Sequence, residues 1–177
     1  MTDIENLKFP VGKLSFPTSI SKDTIKECIE TISSLPEKVN KVVKDLNENQ
    51  LQYKYRPEGW NILQVVHHLA DSHMNSFIRF KLTLTEDSPT IKPYFEARWS
   101  EMPDVLQTPI ESSLKILEGV HQRWTVLLNN MSENDFSKLY VHPEHGRTFT
   151  LDQNVFLYAW HCRHHLAHID QALEHKF

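Results

Sequence analysis

The chain has 177 residues, a net charge of -4 and a pI near 6.2, with 40% hydrophobic and 24% charged residues. That length fits one domain with a sizeable core. The acidic balance argues against a protein that works by neutralising nucleic-acid phosphates, and no uncharged apolar run approaches the roughly 20 residues that span a bilayer.

The first seventeen residues, MTDIENLKFPVGKLSFP, lack a basic start followed by an apolar stretch, so no signal peptide is expected. With Pro10, Gly12 and Pro17 they read as the front of an extended arm over residues 1 to 20. A helical pattern starts near Ser21: Ile25, Ile29, Ile32, Val39, Val42, Val43 and Leu46 recur at spacings of three, four and seven. Pro36 lies inside that pattern and is expected to kink or interrupt it. LQYKYRPEGW is an extended or turn segment. A second helix is expected from about Asn61 to Leu84, with Ile62, Val65, Val66, Leu69, Phe77, Phe80 and Leu84 as its apolar stripe. EDSPTIKPYFEARWSEMPD reads as a loop or short pieces, packed down through Tyr94, Phe95 and Trp99.

The third helix is announced by Thr108, Pro109 and Glu111, read as N-cap, N1 and N3 of a capping box. It continues through Ile110, Leu114, Leu117, Trp124, Leu128 and Met131. YVHPEHGRTFT is a loop or small hairpin, with His-Gly at its turn. Thr150 and Gln153 form a second capping box that opens a fourth helix to the C-terminus. Four long amphipathic helices, with no repeat or interdomain linker, predict an all-α fold, a four-helix bundle in one domain spanning 1-177. The long connection between helices two and three leaves its topology open. Cys28 and Cys162 alone give no disulfide framework, which fits a reducing, cytoplasmic setting.

Eleven histidines are the unusual count. Four fall in WHCRHHLAH: His161, His164, His165 and His168. Val155, Ala159, Cys162, Leu166, Ile169 and Leu173 form the core stripe of this helix. From its centre His165 lies roughly 80° away, His161 about 120°, His168 about 140° and His164 about 180°. His161 and His165 are therefore nearest the core. As an i, i+4 pair they can reach one ion, and imidazole suits zinc, nickel, copper and iron. HxxxH alone is a weak signal, because a solvated polar face gives the same pattern. Helix two carries His67, His68 and His73. His73 lies on the apolar stripe, where a satisfied core histidine is its commonest explanation. His67 and His68 lie roughly 130° to either side. Spacing does not choose a third ligand.

GWNILQVVHHLADSHMNSFIRFKLTLTE and YAWHCRHHLAHI, together with VHQRW and YVHP, resemble the DinB-like metalloprotein superfamily, and within it the YfiT-type metal-dependent hydrolases. The resemblance covers nearly the whole chain. It implies a four-helix bundle, a homodimer, and one divalent metal per chain, zinc with nickel as the alternative. It also implies three histidine ligands: His68 from helix two, with His161 and His165 from helix four. The assignment of His68 rests on the resemblance alone.

Three imidazoles around a divalent metal leave a position for water, whose pKa falls toward 7, so hydrolysis of a small-molecule substrate is the first reading. The second is transfer of a low-molecular-weight thiol, bacillithiol-like, since a metal-bound thiol is deprotonated. The third is a binding module in which the metal only ties two helices together. There is no HExxH and hence no zincin glutamate. Asp71, three residues after His68, is the candidate base or orienting carboxylate, and a solvated carboxylate reads equally well. Arg79 is either an anchor for an anionic substrate or half of a salt bridge. Cys162 reads as a buried, inert thiol. His73 and His121 read as structural or pocket-lining. His142 and His145 read as residues of an exposed loop, with approach to the site mouth as the alternative, and Trp60, Trp99, Trp124 and Trp160 as core or interface residues, one of which a pocket could borrow.

Overall fold

Apolar residues at helical spacing build the molecule. The computed structural model describes residues 4–177, with the backbone alone for His145. A short helix α1 (Ile4–Lys8) precedes α2 (Lys22–Val43), one turn α3 (Glu48–Leu51) and α4 (Ile62–Thr85). The long connection holds α5 (Glu96–Trp99) and α6 (Pro103–Gln107) and leads into α7 (Ile110–Asn129). Another turn, α8 (Glu133–Phe136), precedes β1 (Leu139–His142) and β2 (Arg147–Thr150), and α9 (Leu151–His175) completes the chain.

The four long helices α2, α4, α7 and α9 form the bundle. Both α2 and α4 pack against α7 and α9, so the ring order is α2, α7, α4, α9. Helices α2 and α4, consecutive among the long ones, therefore stand on a diagonal. The apolar stripes meet inside: Ile32, Val39, Leu69, Phe80, Leu117, Trp124, Val155 and Ile169 are all fully enclosed. The hairpin pairs Leu139 with Thr150 and His142 with Arg147. Gly146, at φ +59, closes its turn in the left-handed region that glycine reaches without strain. None of the described helices is long and apolar enough to cross a membrane.

Three expectations change. The arm is not wholly extended. Ile4–Lys8 is helical, Leu7 is buried, and the arm runs across α9. There the Leu7, Lys8 and Gly12 carbonyls accept from Gln171, His168 and Trp160. Pro36 does not interrupt its helix, and α2 runs unbroken through it. Proline removes the N–H that would bond the Ile32 carbonyl, but His121 Nδ1 donates to that oxygen instead, at 2.6 Å.

The capping box at Thr108 does not form. Helix α7 starts at Ile110 with Pro109 as its cap, and no side chain caps it. Thr108 instead ends α6 in extended conformation, its carbonyl accepting from His67 Nε2 at 3.1 Å. A buried box forms at the start of α4. Asn61 Oδ1 accepts from the Gln64 N–H (2.8 Å) and Gln64 Oε1 from the Asn61 N–H (3.1 Å), both residues being buried. At α9, Gln153 reaches back to the Thr150 N–H.

These caps predict unequal costs. Asn61→Ala is expected to lower stability by about 1–2 kcal/mol, the value of a lost cap. Thr108→Ala, with no cap to lose, should stay within about 0.5 kcal/mol of the parent. Urea denaturation of the two variants side by side measures the difference.

Candidate functional site

Two helices supply the site, each with a row of polar residues on one face. On α4 the row is His68, Ser72, Ser76 and Arg79; on α9 it is Asn154, Tyr158, His161 and His165. Spacings of three and four keep each row aligned along its helix. The rows face each other across a cavity of about 440 Å³. Trp60 and Trp160, Tyr94 from the long connection, and Tyr140 and His142 from the hairpin complete its wall.

His68, His161 and His165 come together at one end. Each offers a ring nitrogen, and the three atoms lie within 4.8 Å of one another. His68 Nε2 and His161 Nε2 are 3.3 Å apart. Two nitrogens on a tetrahedral zinc with bonds of 2.0–2.1 Å would be separated by about 3.3 Å. The observed pair therefore fits one ion without rearrangement.

The hydrogen bonds behind the two α9 rings decide which nitrogen each presents. The Ile32 carbonyl can only accept, so His121 Nδ1 carries the proton and His121 Nε2 is bare. That bare nitrogen accepts from His73 Nδ1 at 2.8 Å, leaving His73 Nε2 bare. His73 Nε2 in turn accepts from His161 Nδ1 at 3.0 Å, which leaves His161 Nε2 bare and facing His68. A shorter chain reaches His165. His168 Nε2 donates to the Lys8 carbonyl (3.2 Å) and its bare Nδ1 accepts from His165 Nδ1 (3.4 Å). His165 Nε2 is then the bare nitrogen. Partners that fix a ring's tautomer and orientation in this way raise its basicity as a ligand.

Burial keeps these rings neutral. It pushes His68 and His121 down to about 4 and His168 to about 3, and holds His73, His161 and His165 well below the usual imidazole value, with neighbouring histidines adding to the effect. Neutral imidazole is the form that binds a metal. His164, His165 and His168 make a second close triplet. A neutral imidazole has one bare nitrogen, so His165 can serve one triplet, and its bond to His168 commits it to His68 and His161.

His164 and His168 are buried although they lie farthest from the core stripe of this helix. The arm covers that face of α9, with Phe9 near His164 and the Lys8 carbonyl on His168. Trp160 stacks on His164 at 4.3 Å. His67 points elsewhere, pinned between Ser113 Oγ and the Thr108 carbonyl. His73 and His121 are core residues, as expected, and they carry the longer chain. Cys162 is buried, and burial pushes its thiol far up. The His145 side chain lies outside the described residues.

Asp71 joins neither histidine triplet and is not part of the cavity wall. Its carboxyl is pushed up to about 6, first by burial and then by Asp104. Ser72, missed from the sequence, is a polar hub of the wall. Its Oγ lies 3.2 Å from the Tyr158 hydroxyl and 3.5 Å from His161 Nε2, while Tyr158 donates to the Ser72 carbonyl. Tyr94 also bonds Ser72, and burial raises its pKa above the usual phenol range, so it stays protonated.

The model of the DinB superfamily matches residues 31–169. The chain belongs to the DinB superfamily. A Bacillus cereus protein named "Putative metal-dependent hydrolase" is 47% identical over 166 residues, covering 94% of this chain and 95% of that protein. A Bacillus mycoides protein of the same description is 44% identical over 171 residues, 97% and 98% of the two chains. The solved structure of YfiT from Bacillus subtilis, described as "a probable metal-dependent hydrolase with an unusual four-helix bundle topology", superposes with a TM-score of 0.92. It is 42% identical and the match covers 96% of this chain and 97% of that one. The diagonal placement of α2 and α4 departs from a simple up-and-down bundle.

Two pH effects follow. Eight histidines, His67, His68, His73, His121, His161, His164, His165 and His168, have folded pKa values below the unfolded value. Below about pH 6.5 the unfolded chain gains protons that the folded chain refuses, so stability is full above that pH and lost as pH falls. The slope is up to about 1.4 kcal/mol per pH unit for each ring. Denaturation of metal-free protein at pH 7.5, 6.5 and 5.5 should show a steep loss over the last step. A flat profile would mean the rings are not held neutral.

Asp71 has the opposite sign. Its raised pKa means ionisation costs stability as pH rises from about 4 through 6. Asp71→Asn should therefore stabilise at pH 7.5 by about 1 kcal/mol, allowing for partial exposure. The gain should already be smaller at about pH 6, where the carboxyl is half protonated, as read from melting temperatures at the two pH values.

Proposed function

We propose that this chain is a metal-dependent hydrolase of a small molecule, with one divalent ion held by His68, His161 and His165. Zinc is the first choice and nickel the second, since three imidazoles suit both. The observation that carries the reading is the convergence of bare Nε2 atoms, His161 facing His68 at 3.3 Å, behind which each α9 histidine is fixed by its own hydrogen-bond chain. The names of the relatives support the same reading. When bound, such an ion supplies Lewis acidity and a water of lowered pKa as nucleophile.

The chain's own residues do the rest. The cavity is of a size for a small ligand and sits between helices, where bundles place such sites. Trp60, 4.8 Å from His68, and Trp160 shield the histidine end from solvent. Tyr94, whose buried phenol stays protonated, lines the cavity and offers it a donor suited to an oxygen that gains negative charge, while the Tyr158 and Ser72 hydroxyls hold each other in place beside His161. Asp71, off the cavity wall and outside both histidine triplets, has no part in this chemistry.

Elemental mass spectrometry of untagged protein should find about one zinc or nickel per chain. His68→Ala, His161→Ala and His165→Ala should each lose it, and tight one-to-one metal in all three would sink the proposal. His121→Phe, two rings removed from the ion, should still bind one metal but about tenfold or more weakly. Hydrolytic turnover of ester or amide substrates that disappears with the metal supports the enzyme. Thiol-dependent loss of an electrophile such as monobromobimane would move the chain to thiol transfer, and metal without turnover would leave a binding module.

A further inference from the structure

Arg79 lies eleven residues beyond His68 on the same face of α4 and lines the same cavity. Among the residues of that wall it is the one arginine or lysine. No carboxylate stands within ion-pair distance of it among the described residues. Its Nε is buried with no hydrogen-bond partner. Arg79 itself is half-buried, so this one buried N–H is a hydrogen bond left open on a cation that faces the cavity.

Asn154 gives a second, independent sign. It is fully buried, its Oδ1 accepts from Ser76 Oγ, and its Nδ2 has no partner. It lines the same cavity from α9. An orphaned buried amide donor costs about 1–3 kcal/mol, so a ligand oxygen that accepts from it recovers a bond the protein leaves open. Glu96 and Glu144, the two carboxylates of the wall, are both exposed, where water and salt screen them.

We infer that the substrate carries a carboxylate, received by Arg79 and Asn154 at the end of the cavity away from the three histidines. One cation and one neutral donor match a monoanion; a phosphate dianion would remain undercompensated. Planar carboxylate also fits the guanidinium fork. Eleven residues of helix rise about 16 Å. Less the reach of the arginine side chain, this sets a span of order 10 Å between the reacting group and the carboxylate. The inference rests on the metal reading for what happens at the other end, not for the recognition itself.

The test compares 6-mercaptohexanoate with 6-mercaptohexan-1-ol, equal chains that differ in charge at one end, by quenching of tryptophan fluorescence, since Trp60 and Trp160 line the cavity. The unmodified protein should bind the carboxylate about tenfold or more tightly. Arg79→Gln should bring the ratio to near one while leaving metal content unchanged. Equal affinities in the unmodified protein, a reading that needs no variant, overturn the inference, as does a ratio that survives Arg79→Gln. Both probes are also measured after EDTA treatment. If the chain holds no metal yet keeps its tenfold preference, the hydrolase reading fails and the carboxylate subsite stands; metal with no preference gives the reverse.

Discussion

The bond from His121 to the Ile32 carbonyl orders the centre of this molecule. A backbone oxygen in the middle of a helix is normally taken by the N–H four residues on. Pro36 has none to give. The freed oxygen can only accept, so it dictates the proton's place on His121, and that choice passes to His73 and His161. All four long helices are linked by it: α2 gives the carbonyl, α7 gives His121, and α4 and α9 give the next two rings. One residue that sequence rules treat as a defect thereby sets the direction of a hydrogen-bond chain that ends in the cavity.

That chain explains why so many histidines sit in a core with no carboxylate to pair them. Imidazole can donate from one nitrogen and accept at the other, so a row of rings satisfies itself, provided one end is anchored by a pure acceptor. Here two backbone carbonyls, Ile32 and Lys8, are the anchors. No charge is needed, and burial disfavours one on every ring. The apolar packing around them, Trp124 against His73, His121 and Tyr158, keeps water from competing.

Much of the fold was legible because it follows from local periodicity. The stripes of α4, α7 and α9, the hairpin at His-Gly and the cap at Thr150 all depend on residues near one another in sequence. The failures share a cause: a distant partner. Thr108 has the residues of a cap, but His67 takes its carbonyl. Pro36 should break a helix, but His121 compensates. His164 and His168 face away from the bundle core, but the arm buries them. Within the site, the α9 pair was legible from helix angles, whereas His68 needed the family. Ser72, Tyr158 and Asn154 lie at helical spacing from the histidines, a signal present in the sequence. Polar residues at that spacing ordinarily mark a solvated face, so the signal carries meaning only once the opposite row is known.

The arm makes one ring of the cavity answerable to a segment far from it in sequence. Lys8 and Gly12 hold α9 through single backbone oxygens, and α1 is little more than one helical turn. Short terminal segments of this kind open first when a protein breathes. When this one lifts, His168 loses its anchor, and His165 is free to exchange its proton between nitrogens and to swing. The cavity then keeps its walls but loses the fixed aim of one ring. The aim of the His165 ring thus depends on a backbone oxygen 160 residues from His168 in sequence, and it lasts as long as that contact does.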